Sequence, residues 1–356
     1  MYRHLRPLLF RLDAERAHVL TLFALRGAQY FPFTLWLLKT IYRAPHKPVH
    51  AFGLVFKNPV GLAAGYDKDA VAVKGLGALG FGHIEVGTVT LMRQDGNPKP
   101  RVFRLVEEQA VINRMGFPSR GSVYVRRKLN PAHRLSAFEL LLGRRSRKSD
   151  VVLGVNIGKN KSTPNEEAVL DYLSLLENFA PHADYLTINV SSPNTLGLRA
   201  LQGRVALEGL LSQLHAQRQM EEKKLEKRVP LLVKLAPDLS ESELDDALDV
   251  ILQTQMDGVV ATNTTLAREG LHSVGQGEAG GLSGTPLRLR SEAVLGQVVK
   301  RVDGKIPIIS SGGIMSPEDA RRRLELGASL IQLYTGLVYQ GPGLVKKIVR
   351  GLSSSL

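Results

Sequence analysis

The chain has 356 residues, 44% of them hydrophobic and 22% charged, a globular composition that excludes a disordered polymer. It has no cysteine, which excludes thiolate catalysis, disulfides, Cys-ligated zinc and iron–sulfur clusters. A formal net charge of +14 favours anionic partners: phosphates, acidic lipids or nucleic acid.

Residues 8–44 carry the first pattern. Leu8, Leu9, Leu12, Val19, Leu22, Phe23 and Leu25 fit a helical apolar stripe, interrupted by Arg11, Asp13, Glu15, Arg16 and His18. Pro32 marks a break, and a second helix is expected over Phe33–Tyr42. The uncharged run from Gly27 to Leu38 is 12 residues long, whereas a membrane span needs about 20. The charges at 11–16 spoil a signal peptide. Two readings stand: a helical hairpin packed on its own domain, or an interfacial anchor with apolar faces in lipid. Arg3, His4, Arg6, Arg11, Lys39 and Arg43 suit the headgroups in the second.

Beyond Pro45, "AFGLVFKNPV" reads as a short hairpin turning at Lys57-Asn58. Eight apolar runs follow, each ending in polar or glycine-rich residues: 59–65, 81–89, 151–158, 184–192, 229–237, 257–265, 306–313 and 329–336. Helices are expected between them over 165–180, 205–222, 240–254, 286–302 and 317–326, with Ser240 and Ser316 as N-caps. Continuous apolar strands alternating with helices mean a parallel sheet covered on both faces, and eight units predict a (β/α)8 TIM barrel. The basic runs Arg126–Lys128 and Arg144–Lys148 read as solvated faces. No aromatic residue interleaves with the second, which argues against nucleic acid.

In such barrels chemistry sits at the C-terminal ends of the strands. Those ends supply amides, hydroxyls, Lys68 and Lys234, with no histidine and few carboxylates. No metal is expected, and paired carboxylates for glycoside cleavage are absent. "SSGGI" and "YTG", after strands seven and eight, look like a phosphate cup, with the helix after "GPG" adding its dipole. A phosphate there means a phosphorylated substrate or a cofactor such as FMN. Asparagines and threonines match a flavin ring edge, and a lysine near N1 or O2 stabilises reduced flavin.

The ordered motifs "AAGYDK", "VGTVT", "NRMGF", "GVNIGKNK", "NVSSPNT", "VKLAPDL", "TNTT", "GGLSG", "SSGGI" and "QLYTG" span most of the chain. Together they resemble the class 2 dihydroorotate dehydrogenases, which are quinone-linked and membrane-associated. That resemblance implies FMN and oxidation of dihydroorotate to orotate in pyrimidine synthesis. It places Ala64, Gly65, Thr88, Asn156, Asn189, Lys234, Thr262, Gly284, Gly313, Tyr334 and Thr335 on FMN. It places Lys68, Asn113, Arg114, Met115, Gly116, Phe117, Asn189, Asn194, Asn263 and Thr264 on the substrate, with Ser192 as base. It also turns residues 1–44 into a two-helix extension that meets a phospholipid surface and admits a membrane quinone, and residues 45–356 into the FMN-binding barrel. A peripheral position on the cytoplasmic side of a bacterial inner membrane follows, favoured over a mitochondrion because no presequence precedes the helices. Pro118 stands where relatives often carry asparagine, and Leu196 where proline is common. Nothing is carried onto the basic stretch 121–150. The competing readings are a soluble FMN barrel reducing fumarate or NAD, a flavin-free isomerase or lyase on a sugar phosphate, and a non-enzymatic membrane-binding module.

Overall fold

A computed structural model describes residues 2–130 and 151–352. The run Arg144–Lys148 lies outside the described residues, whereas Arg126 and Arg127 are solvent-exposed on a helix as expected.

Where two N-terminal helices were expected there are three: α1 (Tyr2–Arg11), α2 (Ala14–Ala28) and α3 (Pro32–Tyr42). Asp13 makes the extra boundary. Its carboxylate accepts the N–H groups of Glu15 and Arg16, so a new helix starts inside what reads as one amphipathic stripe. Pro32 occupies the first turn of α3, where its missing N–H costs nothing.

Strands β1 (Val49–Ala51) and β2 (Leu54–Phe56) form the expected hairpin, but the turn is Phe52-Gly53 and not Lys57-Asn58. Both turn residues have positive φ, the geometry a two-residue hairpin loop requires. Asn58 is buried instead, donating to the carbonyl of Gly80 and accepting from the N–H of Val60. Phe52 and Phe56 pack with Tyr185, Leu232, Val260, Ile309 and Leu330 and close the N-terminal end of the barrel.

The barrel itself comprises β3 (Val60–Leu62), β4 (His83–Val89), β7 (Val152–Ile157), β8 (Tyr185–Asn189), β9 (Leu231–Leu235), β10 (Gly258–Ala261), β12 (Ile308–Ser311) and β13 (Leu330–Leu333). These are the eight apolar runs of the sequence, hydrogen-bonded in parallel in chain order, with β13 returning to β3. Helices α6 (Ala168–Phe179), α7 (Arg204–Leu225), α8 (Glu241–Gln253), α9 (Arg288–Val302) and α10 (Pro317–Glu325) pack outside it, following the shorter α4 (Val73–Gly77) and α5 (Ser122–Leu129). Ser240 forms a reciprocal capping box with Glu243, and Ser316 accepts from the N–H of Asp319, as the acidic first turns predict.

A second sheet was not legible in the sequence. β5 (Val102–Leu105), β6 (Ala110–Asn113) and β11 (Gly281–Gly284) pair antiparallel in the order β11-β6-β5. It joins two loops far apart in the chain and carries Asn113 and Gly284 to the mouth of the barrel. The last helices are α11 (Thr335–Gln340) and α12 (Leu344–Gly351).

Candidate active site

At the C-terminal mouth, polar side chains from successive strands make one hydrogen-bonded chain. Its root is Glu85, a fully buried carboxylate in the middle of β4. Glu85 accepts from Asn156 Nδ2 (2.8 Å), Gln332 Nε2 (2.9 Å), Thr187 Oγ1 (3.1 Å) and the Tyr185 hydroxyl (3.2 Å). Asn156 Oδ1 then accepts from the Thr88 hydroxyl and from Asn189 Nδ2 (3.0 Å). Asn189 Oδ1 accepts from Ser191, and Ser191 Oγ accepts from Asn263 Nδ2 (2.9 Å). Buried amides need such partners, and here each fixes the orientation of the next.

The cavity above this chain is lined by Ala64, Gly65, Thr88, Asn189, Lys234, Thr262, Gly284, Gly313, Tyr334 and Thr335 of the residues expected at a cofactor. Asn156 lies beneath the wall and acts through Thr88 and Asn189. Lys68, Asn113, Met115, Gly116, Phe117, Asn194, Asn263 and Thr264 line the same cavity, as does Ser192. Arg114 does not. Its guanidinium stacks over Phe103 at 4.6 Å and pairs with Glu278, because residue 114 follows the end of β6 and its side chain leaves on the opposite side from Asn113. Pro118, set aside at the sequence level, lines the cavity too.

Lys234 is buried, and its ammonium makes no hydrogen bond to the described residues; burial pushes its pKa down, opposed by the charge of Glu85. A buried cation without a hydrogen-bonding acceptor is costly unless a ligand supplies one. Lys68 donates to the carbonyl of Gly65, and burial lowers its pKa to about 8 against the opposing charges of Asp69 and Glu15. Ser192 Oγ accepts from the N–H of Asn194 (3.2 Å) and is 5% exposed. Three residues on, the buried hydroxyl of Thr195 has no partner.

At the seventh and eighth strand ends, Gly312 and Gly313 take φ of +114° and +72°. A Cβ on Gly313 would lie 2.4 Å from Arg288 Cα, so only glycine permits this backbone. The result is a concave turn facing Tyr334, Thr335 and Gly336. The helix that opens at this cup is α11, starting at "YTG" itself, one element earlier than the helix after "GPG". Arg323, fully buried, braces the cup from behind by donating to the carbonyls of Gly312 and Arg288 and to Ser291 Oγ. Among the described residues no group of histidines and carboxylates has metal-binding spacing.

A family model described as dihydroorotate dehydrogenase matches residues 48–356. The chain belongs to the dihydroorotate dehydrogenase family. It is similar to a "Dihydroorotate dehydrogenase (quinone)" of Idiomarina loihiensis, 48% identical over 99% of this chain and 100% of the relative. A protein of the same name from Flavobacterium lutescens is 49% identical over 99% of this chain and 96% of its own. Among solved structures, the Eimeria tenella enzyme in complex with ferulenol has a TM-score of 0.82 at 39% identity, covering 96% of this chain and 90% of that one. The chain is therefore an oxidoreductase of a flavin-dependent family.

Sequence reasoning missed Glu85, Arg323, Gln332 and Arg199. Arg199 donates to the carbonyls of Ser191 and Thr264 and pairs with Asp238. A charge inside an apolar run was the available signal for Glu85; the others depend on partners distant in sequence.

A second cavity lies between α2 and the mouth. Glu15, His18, Leu22 and Arg26 line it from the helix, and Tyr66, Arg101 and Ser119 from the barrel. Lys68, Met115 and Pro118 belong to both cavities, so the two are contiguous. Glu15 and Arg101 bridge the helix to the barrel at 2.7 Å. Burial raises the Glu15 pKa, but the hydrogen bond and charge of Arg101 outweigh it and hold the carboxyl below its usual range. Phe31, Phe33 and Trp36, outside this cavity, and Phe23, in its lining, are all more than half exposed. Among the described residues no helix is long and apolar enough to cross a membrane.

Proposed function

We propose that this chain oxidises (S)-dihydroorotate to orotate with FMN as its flavin and a membrane quinone as acceptor, in pyrimidine biosynthesis. The observation that carries the reading is the contiguity of the two cavities. One is ringed by amides, Lys234 and a glycine cup; the other is roofed by an amphipathic helix whose outside is apolar.

FMN fits the residues present: the positive-φ glycines admit a phosphate, and Lys234 brings a cation that the protein leaves without a hydrogen-bond acceptor. Ala64, Gly65, Thr88, Asn189, Thr262, Gly284, Gly313, Tyr334 and Thr335 would hold it, with Asn156 orienting the Asn189 amide and the Thr88 hydroxyl above it. When bound, FMN would supply the two-electron acceptor for the C6 hydride. Lys68 offers a positive charge to the substrate carboxylate, and Asn113, Asn194, Asn263 and Thr264 orient the ring. Ser192 takes the C5 proton as the C5=C6 double bond forms. A serine does this only where water is excluded and its own proton has an exit. Its buried position supplies the first of those conditions.

Helices α1–α3, expected as a separate unit over residues 1–44, lie on an anionic lipid surface. Their exposed aromatics enter the acyl boundary and their basic residues meet headgroups, on the cytoplasmic side of a bacterial inner membrane. Quinone leaves the bilayer through the cavity under α2. The test is an assay of yellow purified protein with dihydroorotate and a short-chain quinone. Orotate formation coupled to quinone reduction supports the reading; a colourless protein, or reduction of fumarate or NAD in place of quinone, overturns it.

A further inference from the structure

Gln332 sits on β13, 1% exposed, and lines the polar cavity at the strand ends. Its Nε2 donates to Glu85 Oε2 at 2.9 Å. A carboxylate accepts and cannot donate, so the amide is held in one orientation and its oxygen must point away from Glu85. That oxygen, Oε1, is buried and has no hydrogen-bond partner. The neighbouring amide oxygens of the wall are different. Asn156 Oδ1 already accepts from Thr88 and Asn189, and Asn189 Oδ1 from Ser191. A buried acceptor left open is costly unless a ligand fills it.

The ligand of this cavity, on the reading above, is FMN, and the inference rests on that reading. The oxidised isoalloxazine ring is rich in acceptors and has a single N–H donor, at N3. A cavity built for it needs donors for most of the ring edge and an acceptor at one place. Lys234 is a donor, and Gln332 Oε1 is the open acceptor.

We propose that Gln332 is an FMN-binding residue whose Oε1 accepts the N3–H of the flavin, and that Glu85 is the positioning residue that fixes it as an acceptor. Glu85 does this by claiming the amide N–H, while its remaining bonds to Asn156, Thr187 and Tyr185 tie the same decision to the rest of the wall. Without the carboxylate, the Gln332 amide is free to rotate and present N–H to a ring that already offers one.

The test uses full-length holoenzyme loaded with isotopically labelled FMN, in wild type, Gln332→Met and Glu85→Gln. The N3–H resonance reports its own hydrogen bond, and the visible spectrum reports whether flavin is bound at all. In wild type the N3–H signal is expected downfield and protected from exchange with water. In Gln332→Met it moves upfield and exchanges faster, and FMN binds about tenfold more weakly, the usual loss for one buried hydrogen bond. Glu85→Gln shifts the signal in the same direction with flavin still bound; if that variant does not fold, Gln332→Met alone decides. An N3–H signal unchanged in Gln332→Met, with flavin present, overturns the proposal and leaves the FMN reading intact. A wild-type protein that holds no flavin overturns both, and the absence of the visible band identifies that case.

Discussion

Arg199 Nε donates to the carbonyl of Ser191 at 3.0 Å, one peptide away from Ser192. The same guanidinium reaches the carbonyl of Thr264 at 3.0 Å and is anchored on Asp238 at 2.8 Å. One side chain thus ties the loop after β8 to the loop after β10. Lysine cannot span three acceptors, because its charge is a point and not a fork. Arg199→Lys is expected to lower kcat about tenfold or more with FMN content unchanged, since small misplacements of a reacting group cost that much. Steady-state kinetics beside a thermal melt check it; a lower Tm with unaltered kcat would reduce Arg199 to scaffold.

Ser192→Ala removes the proposed base and leaves the cavity wall in place. FMN and orotate should still bind, while flavin reduction by dihydroorotate slows by about 100-fold to 10,000-fold, the usual contribution of a positioned base. Stopped-flow absorbance of the flavin band reads this directly. Near-normal reduction removes Ser192 from the role.

Deleting residues 1–44 strips α1–α3 and with them six of the nineteen residues that line the cavity holding Glu15 and His18. The truncated protein is expected to lose liposome binding and quinone turnover yet retain flavin reduction by dihydroorotate, because the polar cavity is built without those helices. Co-sedimentation with anionic vesicles and the two half-reactions, measured separately, distinguish the outcomes. A folded truncate with undiminished quinone turnover defeats the route under α2.

His83 gives a pH dependence whose sign is fixed. It is fully buried, edge-on to Phe56, with neither ring nitrogen hydrogen-bonded, and burial pushes its pKa down to about 3 from the usual 6.5. Below pH 6.5 the unfolded chain binds a proton that the folded barrel refuses. Stability therefore declines as pH falls from about 6.5 toward about 3, by up to about 1.4 kcal/mol per pH unit. His83→Leu should flatten that part of the curve. Thermal melts at pH 7.5 and 5 compare them; equal slopes for both proteins assign the acid sensitivity elsewhere.

The barrel was legible because each of its strands is an apolar run that ends abruptly in amides or glycines, a contrast that burial on both faces enforces. The three-stranded sheet of β5, β6 and β11 was not, because its strands are four residues each and join loops far apart in sequence. Arg114 was misplaced for a related reason: motif adjacency put it beside Asn113, while strand alternation sends neighbouring side chains to opposite faces. Asp13 divided a helix because a short acid can cap as well as decorate a stripe. Gln332 and Arg323 stood in plain view in "IQLYTG" and "ARRRLE", but nothing local marks an amide or a guanidinium whose partners come from elsewhere in the chain.

The aromatic hairpin around Phe52 and Phe56 makes the barrel a vessel with a sealed base. Nothing flows through such a shape. Both cavities lie toward the other end and meet at Lys68, Met115 and Pro118, so whatever reaches the polar site passes the strand ends and not the hairpin.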